Sequence, residues 1–257
     1  MSYDVTGLFP DAIKDEEFHV FYQPKVSLKN YTLVGAEALC RWFHDGKIVP
    51  PCDFIPVLEQ SGKICELDFY MLEHVCKDLR KWIDEGRRIV KVSVNLSRVH
   101  TGDEKLTEKL FGIIDKYSVP HEYIEIELVE TTTDSNFTYL RKIVNDLHER
   151  GIHTSVDDFG IGYSSMNLIQ ELPWNVLKID KSFLPDDANS DRKRFVMLKH
   201  LISLAQDLGL DCIVEGVETE TQIKILKENG CFLAQGFYFD KPLPFEVFQE
   251  KLHFLVR

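Results

Sequence analysis

Residues 124–156 read IEIELVETTTDSNFTYLRKIVNDLHERGIHTSV, and the pattern of this stretch decides the fold. The alternating or apolar segments 124–128 and 153–156 are typical of strands, and 138–149 between them has the apolar spacing of an amphipathic helix. Two strands joined by a helix form a βαβ unit with parallel strands. The same order of elements recurs along nearly the whole chain.

Eight strands are predicted in total, and helical spacing follows most of them. The predicted strands are 20–26, 33–40, 90–94, 124–128, 153–156, 176–179, 212–214 and 232–234. The clearest predicted helices are 67–82, 105–117, 138–149, 192–207 and 221–227. A chain of 257 residues in which eight strands alternate with helices indicates an α/β fold, a TIM-like (β/α)8 barrel.

One departure from a regular barrel is expected near the N-terminus. Only residues 27–32 separate the first two predicted strands, which is too short for a helical crossover. These strands should therefore form a hairpin, and one of them should run antiparallel to the rest of the barrel. A short lead-in helix is predicted over 8–17, so the chain divides into a lead-in segment, 1–18, and a barrel domain, 19–257.

The charge balance and the cysteines limit the classes of function that the chain can have. The chain has 30 Lys and Arg residues against 42 Asp and Glu residues, a net charge of −12 at pH 7. Long nucleic acids bind through Lys and Arg that neutralise phosphates, so we do not expect this acidic chain to bind them. The sequence contains no apolar run long enough for a membrane span and no secretory signal pattern. Its six cysteines form no CxxC pair and are expected to be reduced thiols, which favours the cytoplasm.

Polar residues occur at or near the carboxyl ends of the predicted strands, where a TIM-like barrel carries its chemistry. They are Glu37, Asn95, Glu127, Glu130, Asp157, Asp158, Lys178, Glu215, Glu218 and Gln235. Any single one could be a solvated loop residue or a helix N-cap. Several carboxylates at one barrel mouth would repel one another unless cations were bound. A ligand set of carboxylates and an amide, without thiolate or imidazole, favours Mg²⁺ or Mn²⁺ over zinc.

The pair Asp157 and Asp158 is the most informative of these features. At a strand end both side chains can reach one centre, as in binuclear sites that hold two metal ions about 3.5–4 Å apart and cleave phosphoesters. The alternative is a helix N-cap at Asp158. Lys178 ends an otherwise apolar strand and is expected to project into the mouth, where it could orient a nucleophile or a phosphate; a salt-bridged structural lysine is the alternative.

A series of short motifs resembles those of the EAL-domain phosphodiesterases, the bacterial enzymes that linearise cyclic di-GMP. The resemblance spans about residues 8 to 255, and the motifs follow one another in a fixed order. They are YQPKV (22–26), EALCRW (37–42), FIP (54–56), VNLS (94–97), ELVE (127–130), DDFG (157–160), LKID (177–180), EGVET (215–219) and QGF (235–237).

The resemblance implies roles for the matching residues. Those that match metal ligands of the family are Glu37, Asn95, Glu127, Asp157, Asp158 and Glu215. Lys178 matches the lysine that holds the attacking water, and Glu215 matches a catalytic glutamate as well as a ligand. Those that match positions around the substrate are Gln23, Leu39, Arg41, Asp180, Glu218 and Gln235. Glu130 matches the anchor of the loop that follows Asp158.

By this resemblance the chain is a cyclic di-GMP-specific phosphodiesterase that forms linear pGpG by a two-metal mechanism, with two Mg²⁺ or Mn²⁺ ions. A homodimer and an upstream sensor or GGDEF domain are also implied. Ile161 and Val129 replace threonines usual in the family, which is expected to loosen the loop after Asp158. Two alternatives stay open: a receptor that binds cyclic di-GMP without hydrolysing it, and a binuclear-metal barrel acting on another phosphodiester.

Overall fold

The computed structural model of the protein describes residues 4–129, 134–157, 159, 166–186 and 192–253. Within these ranges the strands are β1 (Phe18–Ser27), β2 (Thr32–His44), β3 (Lys47–Val49), β4 (Lys91–Leu96), β5 (Ile124–Val129), β6 (His153–Asp157), β7 (Val176–Ile179), β8 (Asp211–Val214), β9 (Leu233–Gln235) and β10 (Leu243–Pro244). The α-helices are α1 (Val5–Lys14), α2 (Pro51–Ser61), α3 (Ile64–Asp84), α4 (Leu106–Lys116), α5 (Asp134–Glu149), α6 (Met166–Glu171), α7 (Arg192–Asp207), α8 (Glu220–Glu228) and α9 (Phe245–Phe248).

Eight of these strands close into a barrel. From β2 through β4 to β9, each strand pairs in parallel with the next. Strand β1 pairs antiparallel with both β2 and β9 and so closes the ring. The short strands β3 and β10 extend the sheet outside the ring, on β2 and β1. The predicted α/β barrel with one antiparallel strand near the N-terminus is therefore confirmed.

The helices pack their apolar faces against the outer side of the barrel. In α3, the residues Leu72, Val75 and Leu79 recur at helical spacing and are buried. Trp82, near the end of the same helix, stacks on Phe245 of α9 with ring centroids 5.4 Å apart. Burying these large side chains stabilises the barrel by about 1.5–3 kcal/mol for each one. In the described part of the chain, no helix has the length and apolar character needed to cross a membrane.

The lead-in helix lies slightly earlier in the chain than the predicted range 8–17. Asp4 caps its start, because the Asp4 side chain accepts a hydrogen bond from the backbone N–H of Gly7 at 3.1 Å. Its end precedes Glu16, whose φ of 55° is incompatible with a continuing right-handed helix. Phe9 of this helix is buried and packs against Phe18 of β1, with ring centroids 5.7 Å apart, so α1 shares the apolar core of the barrel.

The sequence pattern does not predict helix α2, because Pro56 lies inside it. Proline in a helix interior removes one backbone hydrogen bond and usually ends the helix. Here Pro51 occupies the first helical position, where proline is favoured, and the buried Phe54 and Leu58 secure the inner face of the helix. Tertiary packing thus outweighs the local cost of Pro56.

Candidate active site at the barrel mouth

Lys178 of β7 lies at the centre of the barrel mouth and is only 1% exposed. Its Nζ atom is 2.6 Å from Glu127 Oε2, 2.8 Å from Glu215 Oε1, 3.0 Å from Asp157 Oδ1 and 3.9 Å from Glu37 Oε2. These carboxylates come from β2, β5 and β6 and from the residue after β8. The structure thus brings five predicted residues together in one group, which we call the Lys178 cluster.

Glu37 is held in place by two amide side chains. Gln235 of β9 donates through Nε2 to Glu37 Oε2 at 2.5 Å, and Asn95 of β4 donates through Nδ2 to Glu37 Oε1 at 3.1 Å. Gln235 Nε2 also lies 3.0 Å from Gln23 Oε1, and Gln23 Nε2 donates to the backbone carbonyl of Asp240 at 3.3 Å. A continuous polar network therefore joins β1, β2, β4 and β9 at the mouth.

The charges in the Lys178 cluster shift pKa values in different directions. Burial opposes the charge on Lys178, but the surrounding carboxylates, above all Glu127, raise the pKa of Lys178 well above its usual range. Burial also opposes the charge on Glu127, but the ammonium groups of Lys178 and Lys25 lower the pKa of Glu127 to about 2. Burial and the nearby charge of Glu127 raise the pKa of Glu37, and burial raises the pKa of Glu215 to about 8.

The Lys178 cluster contains more carboxylates than ammonium groups, which suits added cations. Four carboxylates share Lys178, and negative charges this close to one another are relieved when divalent cations bind. Their oxygens, with the amide oxygen of Asn95, form a donor set that fits Mg²⁺ or Mn²⁺. Among the described residues, no three His, Cys, Asp or Glu side chains already stand in a metal-ligand arrangement, and the ammonium of Lys178 lies among the four carboxylates.

Several predicted residues fall outside the part of the chain that the structure describes. Asp158, Glu130 and Ile161 are among them, and the side chain of Val129 is not described either. The roles that the family resemblance implies for these residues stay predictions.

A cavity of about 260 Å³ adjoins the mouth and shares Asn95 with it. Leu39 and Arg41 line this cavity and follow Glu37 at intervals of two residues, so all three side chains lie on one face of β2. Arg41 donates through Nη1 to the carbonyl of Cys40 at 2.8 Å, and burial lowers the pKa of Arg41. A guanidinium group at the edge of a mainly apolar cavity is suited to a ligand with a flat apolar part and a negative charge.

Asp180 and Glu218 lie in the loops that follow β7 and β8. The Asp180 carboxylate accepts a hydrogen bond from the backbone N–H of Ser182 at 2.7 Å and caps a short 3-10 turn. Glu218 is exposed and donates its backbone N–H to Gln222 Oε1 at 2.8 Å, beside the capping box that starts α8. Within the described ranges, neither carboxylate forms a hydrogen bond with the Lys178 cluster, so the structure does not bring these two predicted residues into that cluster.

A second polar layer lies beneath the Lys178 cluster, and the strand-end pattern does not single it out. Lys25 donates through Nζ to Ser93 Oγ at 2.7 Å, to Glu125 Oε1 at 3.0 Å and to Glu127 Oε1 at 3.0 Å. The three residues missed by sequence reasoning each stand two positions from a predicted site residue on the same strand. Because alternate strand residues share one face, this spacing is the signal that could have found them.

The loops after β8 and β9 touch at Gly236. Val217 donates its backbone N–H to the Gln235 carbonyl at 3.0 Å, and Tyr238 donates its backbone N–H to the Val217 carbonyl at 2.9 Å. A Cβ atom on Gly236 would lie 2.2 Å from both the backbone N and the backbone O of Val217. The missing side chain therefore allows the approach that places Gln235 beside the loop of Glu215.

We expect Gly236→Ala to lower the free energy of unfolding by about 1–3 kcal/mol, because the added methyl group must push two backbones apart. Urea denaturation monitored by circular dichroism measures this change. Gly112→Ala is the matched control, since a Cβ atom there would meet nothing within 4 Å. Alanine should make α4 more stable by up to about 1 kcal/mol. Equal stability of Gly236→Ala and the wild type would contradict the close approach.

Known proteins resemble this chain over most of its length. The family model of the EAL domain matches residues 8–242. The chain is 36% identical over 241 residues to the signaling protein YkoW of Bacillus subtilis, and 34% identical over 242 residues to the cyclic di-GMP phosphodiesterase NbdA of Pseudomonas aeruginosa. These alignments cover 93% and 94% of the chain but 30% and 31% of the relatives, so the chain spans about a third of their length.

Solved structures show the same fold. The PaMucR phosphodiesterase in its c-di-GMP complex superimposes with a TM-score of 0.88 at 30% identity, covering 96% of this chain and 100% of that one. An EAL domain protein from Listeria monocytogenes EGD-e superimposes with a TM-score of 0.83 at 29% identity, covering 98% of each chain. The resemblance that the ordered motifs indicate is confirmed, and the chain belongs to the EAL domain family.

Proposed function

We propose that this protein is a cyclic di-GMP-specific phosphodiesterase that hydrolyses cyclic di-GMP to linear pGpG with the help of two Mg²⁺ or Mn²⁺ ions. The observation that carries the proposal is the convergence of four carboxylates from four parts of the barrel on Lys178, with distances of 2.6–3.9 Å. Excess negative charge at the mouth calls for cations, and a phosphodiester is a substrate that needs such charge neutralised.

The residues proposed to hold the cations are Glu37, Asn95, Glu127, Asp157 and Glu215, with Asp158 added from the family resemblance. When bound, such ions lower the pKa of water and neutralise negative charge on a phosphate. The chain's own contribution is to fix these oxygen atoms on the ends of rigid strands, which keeps the donor groups in place throughout the reaction.

Lys178 and Glu215 are the proposed catalytic residues. The Lys178 ammonium donates a hydrogen bond to Glu127 Oε2 and lies within 3.0 Å of Asp157 and Glu215 at the centre of the mouth, where it can hold the attacking water. Glu215 Oε1 lies 2.8 Å from Lys178 Nζ, and burial raises the pKa of Glu215 to about 8, so its carboxyl group can hold a proton near neutral pH. Of these two groups, Glu215 is therefore the one that can exchange a proton beside the scissile phosphate, while Lys178 stays positively charged.

We propose that the remaining predicted residues bind the dinucleotide. Arg41 offers a charged fork to a phosphate, and Gln23 offers an amide to a guanine edge. Leu39 lines the adjoining cavity, whose volume of about 260 Å³ is large enough to accept part of a base. The further proposed contacts are Asp180, Glu218 and Gln235.

The direct test is to incubate the protein with cyclic di-GMP and Mn²⁺ and to separate the nucleotides by chromatography. We expect linear pGpG to accumulate, and we expect none when a chelator removes the metal. Cyclic di-GMP that binds measurably but stays intact would instead support a non-hydrolysing receptor. Turnover of other phosphodiesters in preference to cyclic di-GMP would contradict the proposed specificity.

Ca²⁺ is expected to support the hydrolysis of cyclic di-GMP much less well than Mg²⁺. Ca²⁺ takes six to eight oxygen ligands in a looser shell than Mg²⁺, so we expect it to misplace the reacting groups and give a rate at least about tenfold lower. Initial rates with Mg²⁺ alone, Ca²⁺ alone and both together measure the effect, and the mixture should be slower than Mg²⁺ alone. Equal rates with the two ions would contradict this prediction.

We also propose a homodimer and regulation by a sensor or GGDEF domain, in accordance with the family resemblance. The relatives YkoW and NbdA are about three times as long as the matched region, which leaves space for such domains in a longer protein. Sedimentation velocity with and without cyclic di-GMP tests the homodimer, and a single monomeric species in both conditions would reject it.

A further inference from the structure

Lys25 lies deep inside the barrel, below the Lys178 cluster. Strand β1 runs opposite to its neighbours, so Lys25 is further from the mouth than Gln23, although both point inward. A register shift between Lys25 and Val26 marks a local irregularity of the kind that redirects side chains. Lys25 is 7% exposed, and in this position its ammonium group is separated from the mouth by Glu127.

The two oxygen atoms of Glu127 have different partners. Lys25 Nζ lies 3.0 Å from Oε1, whereas Lys178 Nζ lies 2.6 Å from Oε2. Since Lys178 also contacts Asp157 and Glu215, Oε2 is the oxygen that faces the mouth. Glu127 has no exposed surface, so its orientation is set by these contacts inside the barrel.

We propose that Lys25 is a positioning residue that holds Glu127 Oε1 from below and keeps Oε2 directed at the mouth, available to a divalent cation. The inference rests on the proposed function, because it assigns Glu127 to metal binding. Ser93 Oγ and Glu125 Oε1 accept the other two hydrogen bonds of the Lys25 ammonium at 2.7 Å and 3.0 Å. Three contacts in three directions fix the ammonium beneath Glu127.

Charge and positioning predict opposite effects of removing Lys25. As a positive charge behind Glu127, Lys25 repels a divalent cation at the mouth, so its removal would tighten metal binding if charge alone mattered. As a group that orients a ligand oxygen, Lys25 favours metal binding, and loss of such a supporting contact typically weakens affinity by about 10–100-fold. The direction of the change therefore decides between the two roles.

The experiment is a calorimetric titration of Mn²⁺ alone into the wild type and into Lys25→Met, which keeps the length of the side chain but lacks the ammonium. We expect Lys25→Met to bind Mn²⁺ about 10–100-fold more weakly than the wild type. Lys199→Met, at an exposed position of α7, is the control and should bind as the wild type does. Unchanged or tighter binding by Lys25→Met would overturn the inference.

A second variant covers the case in which Lys25→Met folds poorly because Glu125 loses its partner. Lys25→Met combined with Glu125→Leu removes that buried ion pair as a unit, which is often neutral for stability. We expect this double variant to unfold near the wild-type temperature while Mn²⁺ affinity stays about 10–100-fold reduced. Wild-type affinity in the double variant would show that Lys25 merely neutralises Glu125.

The outcomes for the wild type separate this inference from the proposed function. A wild type that binds Mn²⁺ but leaves cyclic di-GMP intact rejects hydrolysis, and the comparison with Lys25→Met still decides the role of Lys25. A wild type that binds no Mn²⁺ overturns the inference about Lys25, because no cation is then held by Glu127.

Discussion

Replacing Glu37 by glutamine is expected to reduce the hydrolysis of cyclic di-GMP by at least about 1,000-fold, since a metal ligand contributes several kcal/mol to such a reaction. The carboxylate accepts hydrogen bonds from Gln235 at Oε2 and from Asn95 at Oε1. A glutamine offers one oxygen and one NH₂ group, so one of these amides would face another donor. The variant loses both the negative charge and the fixed orientation that a cation requires.

Steady-state rates of pGpG formation, measured at saturating Mn²⁺, test this expectation. Glu228→Gln is the matched control, because Glu228 is exposed at the end of α8, on the side of the barrel from which β9 starts. It should retain the full rate. Circular dichroism confirms that Glu37→Gln is folded. A rate above a tenth of the wild-type value would remove Glu37 from the proposed metal site.

Replacing Lys178 by methionine is expected to cost about 3–5 kcal/mol of unfolding free energy in metal-free buffer, the range found when one partner of a buried ion pair is removed. Glu127, Asp157 and Glu215 lie within 3.0 Å of the Lys178 ammonium, so the change removes one positive charge from the middle of three carboxylates, while Glu127 keeps its contact with Lys25. Added Mn²⁺ should supply positive charge to the same carboxylates. It should therefore stabilise Lys178→Met more than it stabilises the wild type.

Thermal unfolding with and without excess Mn²⁺ measures both effects. Lys199→Met removes an exposed lysine from α7 and should change the free energy of unfolding by less than about 0.5 kcal/mol. If Mn²⁺ raises the unfolding temperature of Lys178→Met no more than that of the wild type, the cation does not bind to the carboxylates that the Lys178 ammonium contacts.

The barrel could be predicted because its strands and helices have clear periodicity. The six residues between the first two strands also predict the reversed strand correctly, since no helix fits into that length. Helix α2 could not be predicted, because Pro56 suggests a break that the buried Phe54 and Leu58 override. Strands β3 and β10 span only three and two residues, too few for a periodic pattern.

The Lys178 cluster could be predicted in its membership but not in its arrangement. Chain order indicates which residues stand at strand ends, and motif order indicates the family. Neither one shows that Lys178 sits between the carboxylates, or that Glu127 is contacted from below by Lys25. These contacts depend on which strand faces which across the barrel, and that relation exists only once β1 has closed the ring.

The reversed strand β1 also has a consequence for how the protein is made. Lys25 pairs with Gln235, about 210 residues later, so one edge of the β1–β2 hairpin stays open until the ribosome has produced β9. At roughly 5–20 residues per second, this delay lasts on the order of 10–40 s. For that time the open edge of β1 is exposed to other nascent chains, and β9, the last barrel strand to be synthesised, determines when that edge is covered.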